Sequence, residues 1–302
     1  MLGLLALSLF TVLKLPEDRI KNYVEGSLSQ LLAGRGMTFR VGSGQLSLGW
    51  GLSYIMKDVS ITLPPTPGSV APPPIRIETL GVSPSLSPLL FGKTSASFWI
   101  ARGDSRIEGS GSLKSSEFNL TLRTKEADLG KLGLFPLLTQ IQGGAVIQGE
   151  IDLSGDTQKP QSFQGRVQLD LKKIVIDSQT IQGFAVPKLG VSEGKIQLKM
   201  DQGKAKIETL RLGKPGAITG ATDGEDDIKA NLTGDVTVST PLDRSQLNVK
   251  ANFSLSSTVT QAFVLLDALI GAGKQTDGSY SYSLQGPIFG LMPTPIPASA
   301  SP

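Results

Sequence analysis

Carboxylates, lysines, hydroxyls and tyrosines are the only side chains here that could carry catalysis, because the 302-residue chain contains no His and no Cys. Without them the chain has no Ser-His-Asp or Cys-His catalytic group, no zinc site with nitrogen or sulfur ligands, and no haem with a His or Cys axial ligand. This composition favours a protein that is not an enzyme.

Glu150 and Asp152 are the clearest candidate acid–base pair. They are two residues apart in a strand-like segment, so both side chains lie on one face of it, as two glycosidase carboxylates could. No supporting residues are recognisable around them, and surface charge is the default interpretation. A polysaccharide-active enzyme on a β scaffold is therefore only a third hypothesis.

Two short motifs resemble ligand sites but lack the required spacing. "DGEDDI" (223–228) concentrates acidic residues without the spacing of a calcium loop, which indicates a solvated turn. "GAGKQT" (271–276) resembles a phosphate-binding loop, but Ala268 and Gln275 replace its first Gly and its Ser/Thr. A helix that ends at Gly271 or Gly273 is the better interpretation. We expect no catalytic residue, no metal ligand and no cofactor.

The elements around these residues are mostly strands. In "GEIDLSGDTQKPQSFQGRVQLDLKKIVID" (149–177) apolar and polar residues alternate on both sides of a polar turn, which gives each strand one apolar face. Similar units of strand, Gly, short turn and strand recur through the chain and predict antiparallel hairpins. Only 129–141 and 257–270 show helical spacing within this region.

The sequence therefore predicts a mainly β fold, a large curved antiparallel meander. Two short helices cannot cover its apolar face, so the sheet should bury that face by closing into a barrel, folding into a sandwich or rolling into an open trough. Recurrent glycines at strand ends suit strong bending. We favour a rolled or half-barrel sheet.

The apolar face is either ordinary core or a groove that holds lipid, and the alternation alone leaves both open. The residues that would line the groove, or fill the core, are Ile151, Leu153, Val167, Leu169, Leu171, Leu247, Val249 and Phe253.

Four further segments complete the organisation. Residues 1–13 carry no charge, but this stretch is too short to span a bilayer even when it is extended to Leu15. We expect 1–15 to be the second half of a membrane anchor that starts upstream, and the alternative is a buried N-terminal segment of a soluble protein. Residues 16–35 predict an amphipathic helix. The β domain covers 36–290 and contains a Pro-rich loop at 63–74, and 291–302 predicts a disordered tail.

The charge is too balanced to indicate nucleic-acid binding. Lys and Arg number 29 against 26 Asp and Glu, which gives a net charge of +3, and aromatic residues are only 6% of the chain. The cations are scattered, and few rings are available to stack on bases. We expect no nucleic-acid partner.

The order of segments resembles the type II secretion system protein N family (GspN) in its longer, anchored form, which is itself similar to AsmA-like periplasmic proteins. The first stretch is an anchor followed by "LPEDRIKNYVEGSLSQLL" and "GQLSLGWGLSYIMKDVSIT". The others are "EADLGKLGLFPLLTQIQGGAVIQGEIDLSGD", "LNVKANFSLSSTVTQAFVLLDAL" and "GKQTDGSYSYSLQGPI". The shortened anchor and the Pro-rich insertion at 63–74 depart from that pattern.

This resemblance implies a non-enzymatic accessory or assembly component of a type II secretion system. It would be anchored in the Gram-negative inner membrane with its bulk in the periplasm, and its partners would be other secretion components. The AsmA-like relatives imply an alternative, a periplasmic lipid-binding or lipid-transfer module whose groove takes phospholipid.

Overall fold

The computed structural model describes most of the chain between residues 17 and 298. The described ranges are 17–33, 36–48, 52–62, 64, 74–89, 92–139, 141–181, 184–216, 218, 226–239, 244–262, 268, 270–287 and 292–298. The predicted anchor at 1–15 and nearly all of the Pro-rich loop at 63–74 lie outside these ranges. Among the helices within them, none is long and apolar enough to cross a membrane.

Strands dominate the described residues. The helices are α1 (Glu17–Ala33), α2 (Leu86–Leu89), α3 (Leu134–Thr139) and α4 (Ser257–Ala262), with a 3₁₀ turn at Gly271–Gly273. The strands are β1 (Thr38–Leu48), β2 (Leu52–Thr62), β3 (Ile75–Pro84), β4 (Thr94–Arg102), β5 (Ser105–Lys114), β6 (Glu117–Asp128), β7 (Gly143–Asp156), β8 (Lys159–Ile176), β9 (Gln179–Ile181), β10 (Phe184–Val186), β11 (Leu189–Asp201), β12 (Lys204–Leu212), β13 (Ile228–Thr237), β14 (Gln246–Leu255), β15 (Tyr280–Pro287) and β16 (Met292–Pro295).

Fourteen of these strands form one antiparallel sheet in chain order, from β1 to β8 and then from β11 to β16. The short hairpin of β9 and β10 forms a separate two-stranded sheet. β1 and β16 are the two edges and do not pair with each other, so the sheet is not closed into a barrel. The predicted mainly β meander, curved and open, is confirmed.

Glycines within the strands allow the sheet to bend. Gly149 and Gly165 have φ of 141° and 149°. A Cβ at these positions would collide with the carbonyl oxygens of Gln168 and Asp152 on the paired strand. Glycine readily adopts this conformation and, because it has no Cβ, it lets the carbonyl oxygen of the paired strand come close. Both positions therefore suit sharp local bends. The sequence predicted this role for glycines at strand ends, and the structure also places it within the strands.

Three clusters of buried side chains hold the fold together. The first joins β1–β3 and includes Met56 and Val59, with Val24 of α1 packed against it. The second surrounds the segment 127–135, where Leu132 is fully buried, and extends from Ile107 in β5 to Ile228 in β13. The third joins β11, β14 and β15 to α4. Because strands so far apart in the order share one cluster, we infer that the sheet curves around the segment 127–135.

The second and third clusters lie at one end of the strands. This end, which we name the capped end, is where β6 ends and β7 begins. The opposite end, named the turn end, contains the hairpin turns at 115–116, 157–158 and 202–203. The two ends of the apolar face therefore differ in what packs against them.

Helix α1 protects part of the first edge of the sheet. An uncovered edge strand exposes backbone groups that can pair with another chain. Three hydrogen bonds join the helix to β1: Ser29 Oγ donates to Phe39 O (3.0 Å), Val41 N–H donates to Glu25 Oε2 (3.4 Å), and Lys21 Nζ donates to Gly42 O (2.9 Å). The amphipathic helix predicted at 16–35 is thus present at Glu17–Ala33.

Prolines protect the other edge, which corrects part of the prediction for the tail. We expected disorder from residue 291, but Met292–Pro295 form β16 and Ile296 N–H donates to Ser281 O (3.0 Å). Pro293 and Pro295 alternate with the residues that bond inward, and neither has an N–H to offer a further strand. The alternating prolines of this segment are therefore the pattern of a proline-blunted edge strand.

The two helical predictions inside the β region hold only in part. In the first, 129–133 form turns and only Leu134–Thr139 are helical, in line with a new start forced near Pro136. In the second, Ser257–Ala262 are helical, as are 268 and 270, and the residues between them lie largely outside the described ranges.

Candidate functional site

The eight predicted face residues lie on one side of the sheet, in four rows that cross β7, β8 and β11–β14. Directly paired residues of antiparallel strands point to the same face. From the turn end to the capped end the rows are Leu153–Gly165–Met200–Ala205–Val236–Leu247, Ile151–Val167–Leu198–Ile207–Gly234–Val249, Gly149–Leu169–Ile196–Leu210–Leu232–Ala251 and Ile147–Leu171–Gly194–Leu212–Ala230–Phe253.

Three of the eight residues are core. Val249 is only 2% exposed. Phe253 stacks on Tyr280, with ring centroids 5.3 Å apart, and packs against the third cluster. Leu171 packs against the second cluster. For these residues the core interpretation is the correct one.

The other five residues, Ile151, Leu153, Val167, Leu169 and Leu247, are half-buried, and none belongs to a core cluster of the described chain. Their apolar neighbours on the same face are also half-buried and also belong to none of these clusters. We name this set the central apolar face: Leu120, Leu122, Ile151, Leu153, Val167, Leu169, Ile196, Leu198, Ile207, Leu210, Leu232, Val236 and Leu247.

The opposite face of the same strands is polar and charged. Ion pairs join neighbouring strands at Lys195–Asp170 (3.9 Å) and Arg211–Glu193 (2.8 Å). Glu150 also lies on this face, 3.7 Å from Arg123 Nε, and its side chain is 44% exposed. Glu150 and Asp152 share a face as predicted, but that face is turned away from the apolar rows.

A cavity of about 760 Å³ lies on the polar face of β12–β15. Its lining mixes three cations with the acids Glu208 and Asp277. The cations are Arg211, Lys214 and Lys229, and the remaining lining residues carry amide or hydroxyl groups except Leu212, Gly216, Ile218 and Ala230. None of the described residues that line it is aromatic. The mixed charges do not select one class of ligand, and no sequence pattern predicted this cavity.

The acidic segment 223–228 is not simply a solvated turn, and that prediction is wrong for its second half. Asp226 is 2% exposed and accepts hydrogen bonds from the backbone N–H groups of Ser192 (2.6 Å) and Lys214 (2.9 Å). Asp227 accepts from Gly190 N–H (2.7 Å) and from the Ser256 hydroxyl (2.8 Å). Through these hydrogen bonds the two carboxylates connect the start of β13 to β11, to the residues after β12 and to the residue before α4. Residues 223–225 lie outside the described ranges.

Asp226→Asn should lower the free energy of unfolding by about 1–3 kcal/mol, because one backbone donor would face an amide NH₂ group instead of an oxygen. Chemical denaturation monitored by circular dichroism measures the change. Asp170→Asn is the matched control, since its exposed ion pair with Lys195 should contribute less than about 1 kcal/mol. Equal effects of the two changes would contradict the role given to Asp226.

The same carboxylate predicts a pH dependence. Burial opposes ionisation of Asp226, but the N–H groups of Lys214 and Ser192 outweigh it and hold its pKa below the usual value. A lowered pKa in the folded state stabilises the protein above the pKa of the unfolded chain, about 3.9, and this contribution is lost as the pH falls through the folded pKa. The stability difference between the native protein and Asp226→Asn should therefore shrink below about pH 4. Unfolding curves across that range test it.

The "GAGKQT" segment ends a helix, as predicted. Residue 270 is helical, Gly271–Gly273 form a 3₁₀ turn, and Lys274 is extended. Within the described ranges, no group of three or more His, Cys, Asp or Glu residues could hold a metal ion.

The alternation of apolar and polar residues predicts the apolar face, but it does not show which part of that face other segments cover. The missing information was the position of the segment 127–135, which belongs to a buried cluster that also takes in Ile107 of β5 and Ile228 of β13. Comparison with known proteins adds no relative: no protein-family model, no curated protein and no solved structure matches this chain.

Proposed function

We propose that this protein binds lipid, with acyl chains lying against the central apolar face. The observation that supports this most is the set of half-buried apolar side chains on β6–β14 that belong to no core cluster of the described chain. Apolar area that stays partly in water favours an apolar ligand, at about 25 cal/mol for each Å² covered.

The dimensions of the face suit an acyl chain. Seven strands from β6 to β14 give six inter-strand spacings, or about 29 Å at roughly 4.8 Å each. One leaflet of a bilayer contributes about 15 Å of hydrocarbon, half of the usual thickness of about 30 Å. A single acyl chain therefore fits within the face when it lies across the strands, and its polar headgroup can stay in water.

A photo-crosslinking amino acid at Leu169 tests this in the protein's own membrane. Leu169 lies in the third row, and Asp170 beside it points to the polar face and serves as the control. We expect phospholipid adducts at position 169 and none at position 170. Adducts at neither position, or at both equally, would overturn the proposal.

The second candidate function is an assembly component of a type II secretion system, located in the inner membrane with its bulk in the periplasm. Its support is the segment order together with the unequal edges of the sheet. Prolines blunt β16, whereas the described hydrogen bonds from α1 to β1 end at Gly42 and the strand continues to Leu48. A partner strand could add to that remaining length.

A deletion strain tests this second candidate. We expect folded substrates of the secretion system to accumulate in the periplasm, and restoration of export by the native gene. The deletion strain is also complemented with the Gln45→Pro variant, which lacks one backbone donor in the uncovered part of β1. Loss of export with this variant would indicate that a partner strand pairs with β1, and normal export would indicate other contacts. Normal export in the deletion strain would rule the role out.

A further inference from the structure

A row of three like charges crosses the polar face near the turn end. In register, Arg166 of β8 lies opposite Lys199 of β11, and Lys199 lies opposite Lys206 of β12. All three residues are exposed. Directly opposed residues have Cβ atoms about 4.5–5.5 Å apart, where like charges destabilise a sheet. Asp152 and Asp235 flank the row at its two ends but do not interrupt it.

Two more lysines extend this row to the turns of the same strands. Lys159 precedes Arg166 on β8, and its side chain is 67% exposed. Lys204 begins β12 and is 58% exposed. They pair with Asp156 (3.6 Å) and Asp235 (3.3 Å), whose side chains are only 14% and 24% exposed, and Asp201 lies opposite Lys204. The lysine ends of these pairs are in water, which weakens the hold on the ammonium groups. We name Lys159, Arg166, Lys199, Lys204 and Lys206 the basic patch.

On the apolar side of the sheet, this end carries an exposed apolar rim. Leu113 is 48% exposed and lies opposite Phe118. Phe118 packs edge-to-face on Phe163, with ring centroids 5.3 Å apart. Phe118 is followed along β6 by Leu120 and Leu122, so the rim continues into the central apolar face.

We propose that the turn end is a docking surface for an anionic lipid bilayer, through which acyl chains reach the central apolar face. The ligand path rests on the lipid-binding function proposed above. The charged groups of the basic patch contact lipid phosphates from the polar face of the sheet. Leu113 and the phenylalanines insert among the headgroups. The repulsion within the basic row is relieved when anionic headgroups neutralise it.

The capped end does not offer the same path. There Leu132 and Ala127 are fully buried, and Leu129 and Phe135 are less than a tenth exposed. An acyl chain that approached from this end would have to displace the second cluster. Access from the turn end requires no such displacement among the described residues.

Lys199→Glu gives the sharpest test, because it places a carboxylate between Arg166 and Lys206. The change should raise the melting temperature by about 2 °C, since two repulsive pairs become attractive. The same change should weaken association with vesicles of phosphatidylcholine and phosphatidylglycerol by about tenfold or more, because two charges are lost from the patch. Lys188→Glu, exposed just before β11 at the capped end, is the control with the same change in net charge.

The readout uses a fluorophore attached to a single cysteine introduced as Gln158→Cys at the turn end, which the absence of native Cys makes specific. We expect its emission to shift to the blue with anionic vesicles and not with pure phosphatidylcholine, whereas the same label at Ser178→Cys near the capped end should not shift. Because all variants have the same N-terminal segment, their differences report the substitutions.

Equal loss for Lys199→Glu and Lys188→Glu, or a shift at both labels, would overturn the docking surface. A soluble fluorescent fatty acid, added without vesicles, tests the central apolar face separately. If Lys199→Glu binds the fatty acid normally but no variant responds to vesicles, the docking surface fails and the proposed function stands. If vesicles bind as expected but the fatty acid does not, the docking surface stands and the proposed function fails.

Discussion

Ile196→Glu is expected to weaken the binding of a fluorescent fatty acid by about tenfold or more, with the protein still folded. Ile196 occupies the middle of the third row, between Leu169 of β8 and Leu210 of β12. A carboxylate there would have to lose water when an acyl chain covers it, and no cation faces it on the apolar side of those rows. Titration of the ligand followed by fluorescence measures the change.

Gln197→Glu is the matched control on the opposite face. Its register partners are Gln168 and Thr209, which are uncharged, so the same carboxylate should be tolerated there and leave fatty-acid binding within about twofold of the native value. Ile196→Trp provides a second test that adds no charge, since the larger side chain fills the space above the row. Native-like binding by both Ile196 variants would show that the ligand does not lie on this face.

The faces of the sheet could be predicted from the sequence, because the side chains of a strand alternate with a period of two. Val167, Leu169 and Leu171 were assigned to one face on that ground, and their register with β7 and β11 confirms the assignment. Alternation cannot show what packs above a face. Leu171 meets the second cluster and Leu169 does not, although they are two residues apart on one strand.

Long-range contacts explain the other failures. Asp226 sits in a run of acidic residues that is typical of a solvated turn, yet it is bonded to Ser192, which is 34 residues earlier in the chain. No local pattern encodes that partner. The prediction of disorder in the tail was wrong for a related reason. "MPTPIP" has the composition of a disordered segment, and only its pairing with β15 shows that its prolines point outward.

Gly165→Val should strongly destabilise the curved sheet, with a loss of about 3 kcal/mol or more of the free energy of unfolding. Gly165 has φ of 149°, and a Cβ there would collide with the backbone around Asp152 and Leu153 of β7. A β-branched residue can relieve the collision only if β7 and β8 separate or flatten. Thermal unfolding should show a fall of about 6 °C or more.

Gly111→Val separates this effect from the general cost of replacing a strand glycine. Gly111 lies in β5 on the same apolar side, opposite Leu120, and the nearest atom to a Cβ there is the Asn119 carbonyl oxygen at 3.7 Å, an ordinary contact. Valine favours strands, so this change should alter stability by less than about 1 kcal/mol. If both variants unfolded at the same temperature, Gly165 would not be a required bend. If Gly165→Val alone destabilised the protein and also lost fatty-acid binding while folded, the curvature at β7–β8 would itself be part of the binding site.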